Sequence, residues 1–208
     1  MSKAKINTKK ERVTVFIDGF NLYFGINSAY PNFKWLNVYE LSQNLLRPNQ
    51  ELISVYYFTA RIGNNPPKEQ RQNIYLSALK STPTQLIYGH YKSKSKNCRR
   101  CGHTWQTNEE KMTDVNIAIQ MMTGAVQNTY DRAILISGDS DLVPPIKTVQ
   151  DLFNKKVFVV FPPNRHNRSV KTIANGSMVL GRGTLGKAQF PASILLKNGH
   201  TLAKPTQW

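Results

Sequence analysis

Negative charge is scarce in this chain. Its 208 residues carry 12 Asp+Glu against 28 Lys+Arg, a formal net charge of +16. With a pI near 10.0, that imbalance suits a polyanionic partner. Nucleic acid is favoured over an anionic membrane, because no amphipathic basic helix stands out. Cysteine is scarcer still, and two thiols exclude a disulfide scaffold of the small secreted kind. No apolar run approaches the roughly 18 residues a membrane helix needs. The polar, lysine-rich start lacks the apolar core of a secretory signal, so a cytoplasmic location is expected. There is no internal repeat and no GxxxxGK[ST] phosphate loop. What remains is a chain of one-domain length with a mean hydropathy of -0.44, enough for a hydrophobic core.

Strand and helix signals alternate. β-Branched apolar runs predict strands over residues 13–17, 53–59, 85–91, 133–137 and 157–161. Helices are expected over 21–28, 37–47, 67–80, 142–154 and 169–175, with a capping-box pattern at 107–110 launching another to about 127. This rhythm implies an α/β fold: a parallel sheet of about five strands, order 3-2-1-4-5, with helices on both faces. A flexible basic arm is expected over 1–11, the domain over 12–176 with an exposed basic insertion at about 92–106, and a weakly patterned extension over 177–208.

Acidic residues, though few, are placed where such a sheet would collect them. Asp18 directly follows the first predicted strand, and Asp139 and Asp141 the fourth. In open α/β sheets, ligands bind at the carboxyl ends of strands beside the point where strand order reverses. Asp114 is expected on a helix face shared with Lys111, Val115, Ala118, Met122 and Ala125 that packs on the sheet, about two turns past the cap. Each aspartate has an ordinary structural use, as a helix cap or turn residue. Together on a cationic body they would repel one another unless a cation sat between them, and carboxylate oxygens suit Mg²⁺ or Mn²⁺. Ser137 and Ser140 flank Gly138 and Asp139 and are candidates to contact a phosphate or a bound water.

Three ordered motifs, Phe16-Ile17-Asp18-Gly19-Phe20-Asn21, Lys111-x-x-Asp114-Val115 and Ser137-Gly138-Asp139-Ser140-Asp141-Leu142, resemble those of the NYN domain, a family within the PIN-like nuclease superfamily. The stretch from Phe190-Pro191 through Pro205-x-x-Trp208 is similar to the close of bacterial NYN proteins. The resemblance implies a PIN-like three-layer α/β/α fold and a metal-dependent ribonuclease. By motif matching, Asp18, Asp114, Asp139 and Asp141 would hold Mg²⁺ or Mn²⁺, and Asn21 would orient substrate or water. Products with 3′-hydroxyl and 5′-phosphate ends would follow from direct attack by water.

Cys98-Arg99-Arg100-Cys101-Gly102-His103 has the spacing of half a zinc knuckle. A structural zinc needs four ligands, and His103 with His90 would have to complete it. A basic hairpin with reduced thiols is preferred to that zinc site. Arg99 and Arg100, with nearby lysines and Trp105, suit phosphate and base contact. Asn164, Arg165, Arg168, Ser169 and Lys171 follow the fifth predicted strand on the aspartate edge and suit phosphate. The expected function is endonucleolytic RNA hydrolysis. The alternative is a non-catalytic RNA-binding module on the same fold. A phosphatase is disfavoured because Gly-Phe-Asn follows Asp18, with no second aspartate two positions on. Oligomeric state is left open.

Overall fold

A computed structural model describes residues 9–63 and 65–208, taking backbone only at 91–94, 96 and 105–110. The basic arm expected over 1–11 therefore lies, up to residue 8, outside the described residues. The strands are β1 (Glu11–Asp18), β2 (Gln50–Ala60), β3 (Thr84–Asn97), β4 (Thr104–Lys111), β5 (Arg132–Ile136), β6 (Lys156–Phe161), β7 (Gly176–Val179), β8 (Ser193–Leu195) and β9 (Thr201–Ala203). The helices are α1 (Gly19–Ala29), α2 (Val38–Asn44), α3 (Pro66–Lys80), α4 (Thr113–Val126), α5 (Val143–Asp151), α6 (Arg168–Ile173) and α7 (Arg182–Gly186). The main sheet runs β4-β3-β2-β1-β5-β6-β7, and every neighbouring pair but β3–β4 is parallel.

The expected 3-2-1-4-5 order is therefore present, extended by β7 to six parallel strands. Strand alternation sorts the core into two layers. Val13, Val15 and Ile17 join one cluster with α1 to α3, while Phe16 faces a second cluster with α4 and α5. This is the α/β/α arrangement.

Local caps set the helix starts. Asn37 accepts the N–H groups of Tyr39 and Glu40, and Asn65 caps α3, whose first turn opens with Pro66 and Pro67. Residues 107–110 behave otherwise: they lie in β4, not in a helix cap. Pairing with β3, in register from His90↔Lys111 to Asn97↔Thr104, outweighs the local capping preference. The expected insertion is thus a β-hairpin. Met112, in the left-handed region at φ 76°, turns the chain from β4 into α4.

The stretch 177–208 is built into the body. Leu180, Leu185, Ala188, Phe190 and Leu202 belong to the first core cluster. Trp35, fully buried, donates its indole N–H to the Pro191 carbonyl at 2.8 Å. Its ring packs against Phe190, Tyr75 and Trp208 at centroid distances of 5.4, 6.2 and 6.3 Å.

Candidate active site

Asp18 closes β1 and caps α1, its Oδ1 accepting the Asn21 N–H at 2.9 Å. The residue is only 4% exposed, so its charge needs partners. One comes from across the sheet: the Ser137 hydroxyl donates to Asp18 Oδ2 at 2.9 Å. Ser137 Oγ in turn accepts the Asp139 N–H at 3.1 Å. A second link runs the same way, with Asn21 Oδ1 accepting the Gly138 N–H at 3.1 Å. Asp139 Oδ1 accepts the Asp141 N–H at 3.0 Å and so caps a short 3-10 turn, Ser140–Leu142. The turns after β1 and β5 are therefore laced together, because those strands are parallel neighbours.

Two glycines make the approach feasible. A Cβ on Gly138 would sit on the Arg165 carbonyl oxygen, so only glycine lets the loop after β6 lie against this turn. A Cβ on Gly19 would meet the Phe58 carbonyl oxygen at 2.6 Å and the Tyr57 ring at 2.7 Å. Tyr57 is buried, and burial together with the negative charge of Asp18 pushes its hydroxyl pKa upward, which keeps it neutral.

Sequence reasoning named Asp18, Asn21, Ser137, Asp139 and Arg165, and the structure brings them into one neighbourhood. Asp141 and Ser140 follow on the 3-10 turn, both exposed. Arg168 and Ser169 are exposed at the start of α6, beyond the same sheet edge. Asp114 is half-buried in the first turn of α4, which packs on β1, β2 and the 3-10 turn.

Its surroundings differ from the expected ones. The buried face of α4 is Thr113, Ile117, Met121, Gly124 and Ala125, while Val115 and Met122 are exposed. Because the helix begins at Thr113, Asp114 lies within its first turn, where a carboxylate also complements the helix dipole. Lys111 is exposed at the base of the hairpin.

Arg99 and Arg100 are exposed at the hairpin tip beside Cys98 and Cys101, which are free thiols. There Gly102 N–H donates to the Cys98 carbonyl at 2.9 Å, and Cys98 N–H to that of His103 at 2.8 Å. Backbone amides of Cys101 and Arg100 lower the Cys98 thiol pKa. His90 does not join this loop. It pairs with Lys111 at the far end of the hairpin, roughly 23 Å from Asn97 at about 3.3 Å per residue.

Among the described residues, no group of three or more His, Cys, Asp or Glu is placed to hold a metal ion. That applies to the expected cage of four aspartates and to the cysteine loop alike. Asp18 and Asp139, on turns joined through the Ser137 hydroxyl, would suit a hard cation of the kind that binds through one or two carboxylates and keeps water or substrate phosphate in its other positions.

A residue set that sequence reasoning missed lies beside Asp18. A cavity of about 600 Å³ opens between α1, α3 and the end of β2, with Gly19, Tyr57, Arg71 and Trp208 in its walls. Its aromatics come from four parts of the chain, so only the local run of Phe20, Tyr23 and Phe24 could have hinted at it.

Six parallel strands between two helical layers, with acidic turns at the strand ends, define a PIN-like α/β protein. The NYN domain model matches residues 12–179, and the chain belongs to that family. Membership points to nuclease-like function. The chain is 26% identical over 204 aligned residues to 6-hydroxy-3-succinoylpyridine 3-monooxygenase HspA of Pseudomonas putida (strain DSM 28022 / S16), an alignment covering 81% of this chain and 65% of that protein. The chain thus spans slightly under two thirds of that relative. A crystal structure of a protein of unknown function, VPA0982 from Vibrio parahaemolyticus RIMD 2210633, shares the fold, with a TM-score of 0.57, 21% identity and coverage of 88% of this chain and 98% of that one. No helix among the described residues is long and apolar enough to cross a membrane.

Proposed function

We propose that this protein is a ribonuclease that cleaves RNA internally, with Mg²⁺ or Mn²⁺ held by Asp18 and Asp139. The observation that carries this reading is the pair of bonds tying the turn after β1, which carries Asp18, to the turn after β5, which carries Asp139, on a strongly cationic body. A divalent ion bound there would activate water and offset charge on the cleaved phosphodiester. Ser137 fixes the orientation of Asp18, and Asn21 fixes the Gly138–Asp139 turn. Asp114 and Asp141 add negative potential at the rim. Arg165 and Arg168, with Arg99 and Arg100 on the hairpin, supply the cations that hold the RNA backbone.

The relative's name raises a redox reaction on a pyridine. Gly181-Arg182-Gly183-Thr184-Leu185-Gly186 does match the G-x-G-x-x-G string of dinucleotide sites. Here the string follows edge strand β7 and opens a helix of only 5 residues. It therefore does not form the strand–turn–long-helix cradle that such sites use.

A non-catalytic RNA-binding module is the second reading. Two observations favour it: Asp18 and Asp139 already serve as caps, and no three carboxylates converge among the described residues. One assay separates the two. Single-stranded RNA is incubated with wild type and with Asp139→Asn, in Mn²⁺ or in EDTA. The nuclease reading expects cutting that falls on the order of a hundredfold or more in the variant and in EDTA. Cutting that survives both treatments overturns the metal–aspartate mechanism, and binding without cutting by wild type establishes the module.

A further inference from the structure

We propose that the cavity between α1 and α3 binds a planar heteroaromatic ring carrying an anionic group, and that in the substrate this is one nucleotide of the RNA. This deepens the ribonuclease reading and rests on it for the identity of the natural ligand. The volume of about 600 Å³ falls within the roughly 300–1,000 Å³ common for sites that enclose a small organic molecule. Tyr23, Phe24, Tyr57, Tyr75 and Trp208 supply aromatic walls. Two of them are left open to solvent, Tyr23 at 38% and Phe24 at 50%, held edge-to-face at 5.5 Å. Exposed rings on adjacent helical positions suit a partner that stacks. The Tyr75 hydroxyl is already spent on the Leu36 carbonyl, so this residue offers its ring alone.

Charge selects the other half of the ligand. Lys68 and Arg71 line the cavity and no carboxylate does. Lys34 stands just behind, its ammonium 3.4 Å from the carboxamide oxygen of Asn27, a residue of the cavity wall. Among the described residues no carboxylate forms an ion pair with Lys34, Lys68 or Arg71. Partial burial and repulsion from Arg71 both lower the Lys34 pKa, and a bound anion would relieve that repulsion. Gly19 and Tyr57 connect the cavity directly to Asp18. A ring seated here would therefore hold a neighbouring phosphodiester close to the carboxylates, which is how a nuclease fixes where it cuts.

The test is a binding titration of wild-type protein with nucleoside 5′-monophosphates and with ribose 5-phosphate, which keeps the charge and lacks the ring. The nucleotides should bind more tightly by roughly five- to hundredfold, the range that stacking supplies. Arg71→Ala and Tyr23→Ala should each weaken nucleotide binding by about tenfold or more, with thermal unfolding unchanged. A tetranucleotide bound by Asp139→Asn more tightly than the monomer identifies a strand unit as the natural ligand, and equal affinity identifies a free nucleotide. Equal binding of nucleotide and ribose 5-phosphate overturns the proposal, as does an affinity indifferent to both cavity variants. Mononucleotides contain no bond for the nuclease to cut, so these outcomes stand whether or not the protein cleaves RNA.

Discussion

Asn21 Oδ1 accepts the Gly138 N–H at 3.1 Å, across 117 residues of sequence. The bond matters because Asn21 does not cap α1, a task that falls to Asp18. Its carboxamide is thereby released to fasten the acidic turn after β5. Asn21→Ala should leave the helix formed, loosen the turn carrying Asp139, and reduce RNA cleavage by roughly tenfold or more. Cleavage rate with circular dichroism as control checks this, and unchanged cleavage would deny Asn21 any positioning role.

Ser137 is fully buried and couples Asp18 to the Asp139 amide. Ser137→Ala leaves both without that hydroxyl, at a cost of about 1–3 kcal/mol in stability. A urea midpoint lowered at constant m-value is the expected result.

Gly138→Ala forces a methyl onto the Arg165 carbonyl. Destabilisation of about 1–3 kcal/mol, or more if the loop cannot shift, should appear as a lower Tm. Gly183→Ala is the control: a Cβ there meets nothing within 4 Å, and stability should stay level or rise slightly.

Trp35→Ala removes the ring on which Phe190, Tyr75 and Trp208 converge. A loss of about 3–5 kcal/mol is expected from the cavity and the lost burial. Unfolding followed by denaturant would show it. A loss below about 1 kcal/mol would mean that the 177–208 segment contributes little to the core.

Asp131 belongs to the fold rather than the site. Its carboxylate takes a paired bond from the Arg12 guanidinium, at 2.7 and 3.1 Å, and this holds its pKa at about 2 against an ordinary 3.8. A depressed carboxylate stabilises the folded state above its unfolded pKa, and that contribution is lost as pH falls through the folded value. The stability gap between wild type and Asp131→Asn should therefore shrink as pH drops from about 4 towards 2. The Asp131 side chain is 41% exposed, so screening keeps the gap to no more than about 1 kcal/mol. A gap constant through that range would contradict the linkage.

Much of this molecule was legible in its residue order. Short apolar runs separated by capped amphipathic segments dictate parallel strands with crossover helices, and chirality restricts how they wind. Asp18 and Asp139 could be placed at one sheet edge because each directly follows a buried strand. The hairpin could not be read, since Thr107 to Glu110 satisfy a local cap equally well and only pairing with β3 decides between the two. The companions expected beside Asp114 were misread in the same way: Val115 and Met122 are exposed, and the buried face runs through Thr113, Ile117, Met121 and Ala125, which packing against the sheet decides.

The amino-acid sequence by itself determined the layered α/β class, the basic surface, and the identity of the acidic residues. These are properties of composition and short-range periodicity. Tertiary structure alone decided that Ser137 touches Asp18, that the Arg165 backbone requires glycine at 138, and that six aromatic residues from four parts of the chain line a cavity beside Asp18. Such contacts join residues far apart along the chain, and their geometry follows from strand register and helix packing, which no local pattern encodes.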